Sequence, residues 1–165
     1  MVPELRKKFK DIAIQGVKYG AGIMGNLTPG GGDPAGITEA VKDYNMAASK
    51  CPKTIITGGG YSQGAAITHR AVEKLSANVK ARIAAIVLFG DTQRKQDKEQ
   101  IKGFPVGRTK TFCNGYGELA KNSKDGVCNG ALMVNAGHMS YGGSFAPAAN
   151  FIASKVAEYK ASKGA

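Results

Sequence analysis

The 165-residue chain contains no tryptophan, only two histidines and three cysteines, and 12 acidic residues against 23 basic ones. Each scarcity narrows the chemistry. No uninterrupted apolar run approaches the ~20 residues that cross a bilayer, so no membrane span is expected. The opening "MVPELRKKFK" also lacks the apolar stretch of a secretory leader. Cys51, Cys113 and Cys128 show no C-x-x-C spacing, so neither zinc nor another metal is expected. Phosphate cofactors are excluded as well. "PGGGDPAG" is followed by no G-K-[ST], and in "GGGYSQG" Gln63 stands where a dinucleotide loop needs its last glycine. The net charge of +11 is scattered through "LRKKFK", "QRKQDK", "KNSKDG" and "SKVAEYKASK" and reads as solvated surface. Charge alone names no partner, and nucleic acid is not expected.

What the chain does have is enough apolar sequence, 42%, for one domain over residues 1–165 with a core of its own. It shows no repeat, linker or low-complexity tract. Pro3 opens a short helix over residues 3–10, "DIAIQGV" predicts a strand over residues 11–17, and "YGAGIMGNLTPGGGDPAG" is loop. From Pro34 a helix of about 15 residues places Ile37, Ala40, Val41, Tyr44 and Ala48 on one face. A strand follows at residues 53–58, then a helix from Ser62 to about Leu75. "IAAIVLFG", Ile83 to Gly90, is apolar without interruption, as a strand buried on both faces of a parallel sheet must be. "RTKTFC" predicts a shorter strand and "FAPAANFIASKVAEYK" a closing amphipathic helix. Alternating strands and helices predict a three-layer α/β/α sandwich around a mostly parallel sheet.

The chemistry is concentrated in "TIITGGGYSQGAA", residues 54–66. Its G-x-S-x-G pattern is how a serine is held on a tight strand-to-helix bend, here Ser62. A serine hydroxyl is a poor nucleophile unless a base stands beside it. His69 lies seven residues along the same predicted helix, about 10 Å up the axis, too far to reach. By elimination the base is His138, in the glycine-flanked "NAGHMSYGG". A carboxylate that orients the imidazole should fall between serine and histidine along the chain. Asp91 and Asp125 both qualify. Asp125 is favoured, because Cys113 and Cys128 bracket a polar segment that reads as a disulfide-closed loop, whereas Asp91 reads as the cap of the turn after its strand. Gln63, the residue after the serine, would offer its backbone N–H to an oxyanion. Asn26 in "NLT" is a formal glycosylation acceptor.

In combination, "IQGV", "CP", "GGYSQGA", "VLFG", "RTKTFCN", "DGVC" and "GHMSYG" resemble the cutinases, small serine esterases of the α/β-hydrolase fold, over nearly the whole chain. The resemblance puts the family's nucleophile on Ser62, its acid on Asp125, its base on His138, one oxyanion donor on Gln63 and a disulfide on Cys113 and Cys128. It implies a secreted, monomeric, cofactor-free enzyme acting on cutin or lipid-like esters at a shallow cleft. Met24, Leu27, Leu132, Met133, Val134 and Met139 are the candidate lips of that cleft. Ahead of its first helix the family carries a strand, a loop whose serine or threonine is a second oxyanion donor, and a cysteine paired with the one before the elbow. This chain opens at the helix, which would leave Cys51 without that partner. The stretch between Cys113 and Asp125 is also longer than the family's usual form. An acetylxylan-type carbohydrate esterase is the alternative within enzymes, and a non-catalytic basic binding protein the alternative outside them.

Overall fold

The structure, a computed structural model, describes residues 1–164. Its helices are α1 (Val2–Lys8), α2 (Pro34–Lys50), α3 (Gln63–Lys74), α4 (Ala77–Ala81) and α5 (Phe145–Ser162). Three strands, β1 (Ile56–Tyr61), β2 (Ile83–Phe89) and β3 (Thr109–Phe112), form a parallel sheet in the order β1-β2-β3. The apolar run becomes the middle strand, and all seven of its residues are buried.

Side chains alternate across a strand, so β2 serves two cores. Ala85, Val87 and Phe89 pack with Leu5 of α1 and with Ala148, Ala149, Ile152 and Val156 of α5. Ile86 and Leu88 face the other way, toward Ala65 and Val72 of α3, with Val41 and Tyr44 of α2 packed against them. Helices therefore cover both faces of the sheet, which is the three-layer α/β/α arrangement expected. Each fully buried isoleucine or leucine of β2 contributes roughly 1.5–3 kcal/mol of transfer free energy. α2 starts where the sequence says it should: Asp33 accepts a hydrogen bond from the Ala35 N–H at 2.9 Å, and Pro34 occupies the first turn, where its missing N–H costs nothing.

Two expectations need correction. Residues 11–17 form no strand; they run without a ladder partner among the described residues. Only Ile12 of this stretch packs against the core, while Ile14 and Val17 are exposed, and a strand exists only through pairing. The strand expected at 53–58 begins later, at Ile56, because Cys51–Thr54 first makes a turn in which the Thr54 N–H donates to the Cys51 carbonyl. Gly58, Gly59 and Gly60 pair in register with Ile86, Val87 and Leu88, and the chain turns at Ser62 alone.

Candidate active site

β1 delivers Ser62 to the carboxyl end of the sheet with φ 57° and ψ −121°, a left-handed conformation that side-chain-bearing residues rarely adopt. Its N–H donates to the Phe89 carbonyl at 3.0 Å, and α3 starts at the next residue. The bend is so tight that a Cβ at Gly60 would lie 2.2 Å from the Gly64 carbonyl oxygen. That distance is the steric reason for glycine before the serine.

The loop entering α5 brings His138 over this bend. Its Nε2 is 2.9 Å from Ser62 Oγ, and its Nδ1 is 2.9 Å from Asp125 Oδ2. Ser62 is half-buried, whereas His138 and Asp125 are buried. Asp125 caps the short turn Gly126–Asn129, accepting the Val127 N–H on Oδ1 at 3.0 Å. The Cys113–Cys128 disulfide ties that turn to the end of β3. Asp125 Oδ2 also accepts the Tyr141 hydroxyl at 2.6 Å, and that hydroxyl in turn accepts the Asn114 N–H at 3.1 Å. Burial, then the hydrogen bond to Asp125, raise the Tyr141 hydroxyl above its ordinary range, so it remains a donor. With the Val127 N–H and the Tyr141 hydroxyl both donating to it, Asp125 is an acceptor, which assigns the proton of the imidazole to Nδ1 and leaves the Nε2 lone pair facing Ser62.

Several contacts that sequence reasoning missed hold the imidazole in place. The Tyr61 ring stacks on that of His138 with centroids 4.9 Å apart, and its hydroxyl donates to the His138 carbonyl at 2.8 Å. Asn114 Nδ2 donates to the Gly137 and Ser140 carbonyls on either side of the histidine. Gly90, at φ 54°, leaves just enough room: a Cβ there would sit 2.9 Å from the imidazole and 3.0 Å from Asp125 Oδ2. A tyrosine three residues after the histidine and a glycine closing the buried strand were the available cues. Tyr141→Phe is expected to destabilise the protein by about 1.5–3 kcal/mol, the value of a hydrogen bond to a charged group. Urea unfolding of the two proteins measures it; an unchanged midpoint would remove Tyr141 from this account.

Gln63 follows the serine as the first residue of α3, so its N–H is among those for which a helix offers no acceptor. Its buried side chain grips the preceding loop: Nε2 donates to the Gly22 carbonyl at 2.9 Å, and Oε1 accepts the Asp33 N–H at 3.3 Å. This grip holds the loop bearing Met24 and Leu27 beside the elbow, both exposed. Met139 is exposed next to His138, with its sulfur 3.6 Å from the Tyr61 hydroxyl. Leu132, Met133 and Val134 are exposed on the stretch leading to Asn135, whose side-chain oxygen accepts the His138 N–H at 3.1 Å. All six apolar residues thus stand on loops anchored to the elbow or to the histidine.

Asp91 and His69 pair with each other: Asp91 Oδ2 is 2.8 Å from His69 Nε2, and Asp91 Oδ1 accepts the Gln93 N–H at 2.9 Å. The turn-capping part of the Asp91 expectation is met, and the two ring nitrogens of His69 face Asp91 and Asp97. Cys51 is an exposed free thiol, and no helix of the described residues is long and apolar enough to cross a membrane.

The cutinase family model matches residues 1–156. The chain is 44% identical over 145 residues to Cutinase CUT2 of Pyricularia oryzae, covering 88% of this chain and 64% of that protein. It is likewise 44% identical over 147 residues to Cutinase 3 of Emericella nidulans, covering 88% of this chain and 62% of that one. Among solved structures, the Trichoderma reesei cutinase in complex with a C11Y4 phosphonate inhibitor superposes with a TM-score of 0.79 at 24% identity, over 93% of this chain and 65% of that one. The chain therefore spans less than two thirds of the length of each of these relatives. On the family match and the shared α/β-hydrolase fold, it belongs to the cutinase family.

Proposed function

We propose that the chain hydrolyses carboxylic esters through an acyl-enzyme on Ser62. The observation that carries this reading is the unbroken hydrogen-bonded chain from Ser62 Oγ through His138 to Asp125, with both links at 2.9 Å. Ser62 Oγ attacks the ester carbonyl while His138 Nε2 takes its proton, and the developing oxyanion lies against the Gln63 N–H at the positive end of α3. As the tetrahedral species collapses, the imidazolium returns the proton to the departing alkoxide. Water, deprotonated by the same nitrogen, then releases the acid. Asp125 holds the tautomer and stabilises the transient imidazolium. No cofactor enters this cycle.

The exposed Met24, Leu27, Leu132, Met133, Val134 and Met139 favour acyl chains of cutin or lipid type over the acetyl groups of a decorated carbohydrate. The disulfide favours an oxidising, secreted setting, and the scattered positive charge gives no reason to add nucleic acid as a partner. We infer a monomer acting as a single domain. Turnover of p-nitrophenyl esters of increasing acyl length tests the reading. Butyrate should be cleaved faster than acetate; acetate-only turnover would transfer the assignment to carbohydrate esters, and no turnover of any ester by folded protein would end it.

Acidification supplies a further check. Only the unprotonated Nε2 can accept the serine proton, so kcat/KM should fall on acidification. A level profile down to the pH at which the protein unfolds would exclude His138 as the base.

A further inference from the structure

Three ligand-bearing side chains converge further along α3, away from Ser62. His69 and Glu73 are one turn apart on α3, and Asp97 comes from the turns that follow β2; one ligating atom of each lies within 4.8 Å of the others. His69 is fully buried, with Nε2 on Asp91 Oδ2. Since a carboxylate only accepts, that bond puts the ring proton on Nε2 and leaves Nδ1 as a bare lone pair. Nδ1 has no hydrogen-bond partner, although Asp97 Oδ2 is only 3.2 Å away, so that oxygen does not stand where an N–H could reach it in line. Two ligands of one ion stand in just such an oblique relation. Atoms bound at about 2.0–2.1 Å around a tetrahedral centre lie about 3.3 Å apart.

Arg70 completes the picture. Its guanidinium contacts Asp97 Oδ2 and lies 3.5 Å from Glu73 Oε2, neutralising both carboxylates. That arrangement leaves two buried nitrogens, Arg70 Nε and His69 Nδ1, without partners. A groove of about 690 Å3, lined by Arg70, Glu73, Asp97 and by Gln100–Pro105, opens the two carboxylates to solvent and gives Arg70 somewhere to go, with His69 buried behind them.

We propose that His69 Nδ1, Glu73 and Asp97 form a site for one Zn2+-class divalent cation, with Asp91 orienting His69 from behind and Arg70 as the resident positive charge that the ion displaces. One imidazole with two carboxylates suits such an ion better than Mg2+ or Ca2+, which prefer oxygen alone. The carboxylate behind the histidine is the usual outer support of a metal-bound imidazole. The site lies about 10 Å along α3 from Ser62, so it clamps the helix to the segment after β2 and takes no part in ester cleavage. Cysteine spacing carries no trace of it. Histidine and glutamate four residues apart on one helix were the cue.

The test uses the full chain, stripped with EDTA, in a Cys51→Ser background because an exposed thiol itself binds zinc. Zn2+ is titrated in competition with a chromophoric chelator, and thermal unfolding is followed with and without the ion. One equivalent should bind and raise Tm. Asp97→Asn and Glu73→Gln, both at partly exposed positions, should each weaken binding at least about tenfold and abolish the rise in Tm while keeping the far-UV circular dichroism unchanged. Arg70→Gln should tighten binding by removing the competitor. The proposal is overturned if no stoichiometric ion binds, if Asp97→Asn and Glu73→Gln bind as the parent does, which would place the ion elsewhere, or if Arg70→Gln weakens the site.

Discussion

Ser62→Ala should lower kcat for p-nitrophenyl butyrate by about 10^6-fold, down to the residual rate that binding and oxyanion contacts provide without a nucleophile. The size of the effect follows from the covalent step: without Oγ no acyl-enzyme forms, and His138 can only assist direct attack by water. Folding should hardly change. Alanine at φ 57° meets the same backbone strain as serine, and the half-buried hydroxyl gives up one hydrogen bond, worth about 0.5–1.5 kcal/mol. A variant that folds and has lost its activity separates chemistry from stability. Retained activity would mean that another residue attacks the ester.

Asp125→Asn should cost about 10^4-fold in kcat with nearly unchanged KM. The amide has the volume of the carboxylate, so the 126–129 turn and the disulfide stay in place. Its NH2, however, would donate to His138 Nδ1, which then becomes the acceptor and forces the ring proton onto Nε2. That proton faces Ser62 Oγ at 2.9 Å, where the mechanism needs a lone pair. Measuring kcat and KM separately distinguishes this from a binding defect. A variant within tenfold of the parent would mean that the tautomer is set by something other than Asp125.

Features governed by local chemistry were legible in the sequence. The continuous apolar run of β2, the Asp33-Pro34 start of α2, the helical periodicity of α5 and the glycine spacing about Ser62 each follow from rules acting within a few residues. His138 was legible for a different reason, because only two histidines exist and one is fixed on the wrong turn of α3. Other features depend on partners distant in sequence. Residues 11–17 carry strand-like alternation and still form no strand, because pairing is a property of the neighbour as much as of the segment. The Tyr141 hydroxyl on Asp125, the Tyr61 ring against His138 and the His69–Asp91 pair join positions 16, 77 and 22 residues apart. No periodicity encodes such contacts. The glycines before Ser62 serve the bend without making it: they lie in the ladder, Gly60 leaves the space that a Cβ would take from the Gly64 carbonyl, and serine takes the strained angles.

Covalent labelling tests the central claim most directly. The folded chain, treated with a fluorophosphonate at pH 8 and mapped by peptide mass spectrometry, should carry a single adduct on Ser62, formed much more slowly in His138→Ala and absent in Ser62→Ala. An adduct on a different residue, or none at all on protein that retains its native circular dichroism, would contradict an activated serine at this elbow.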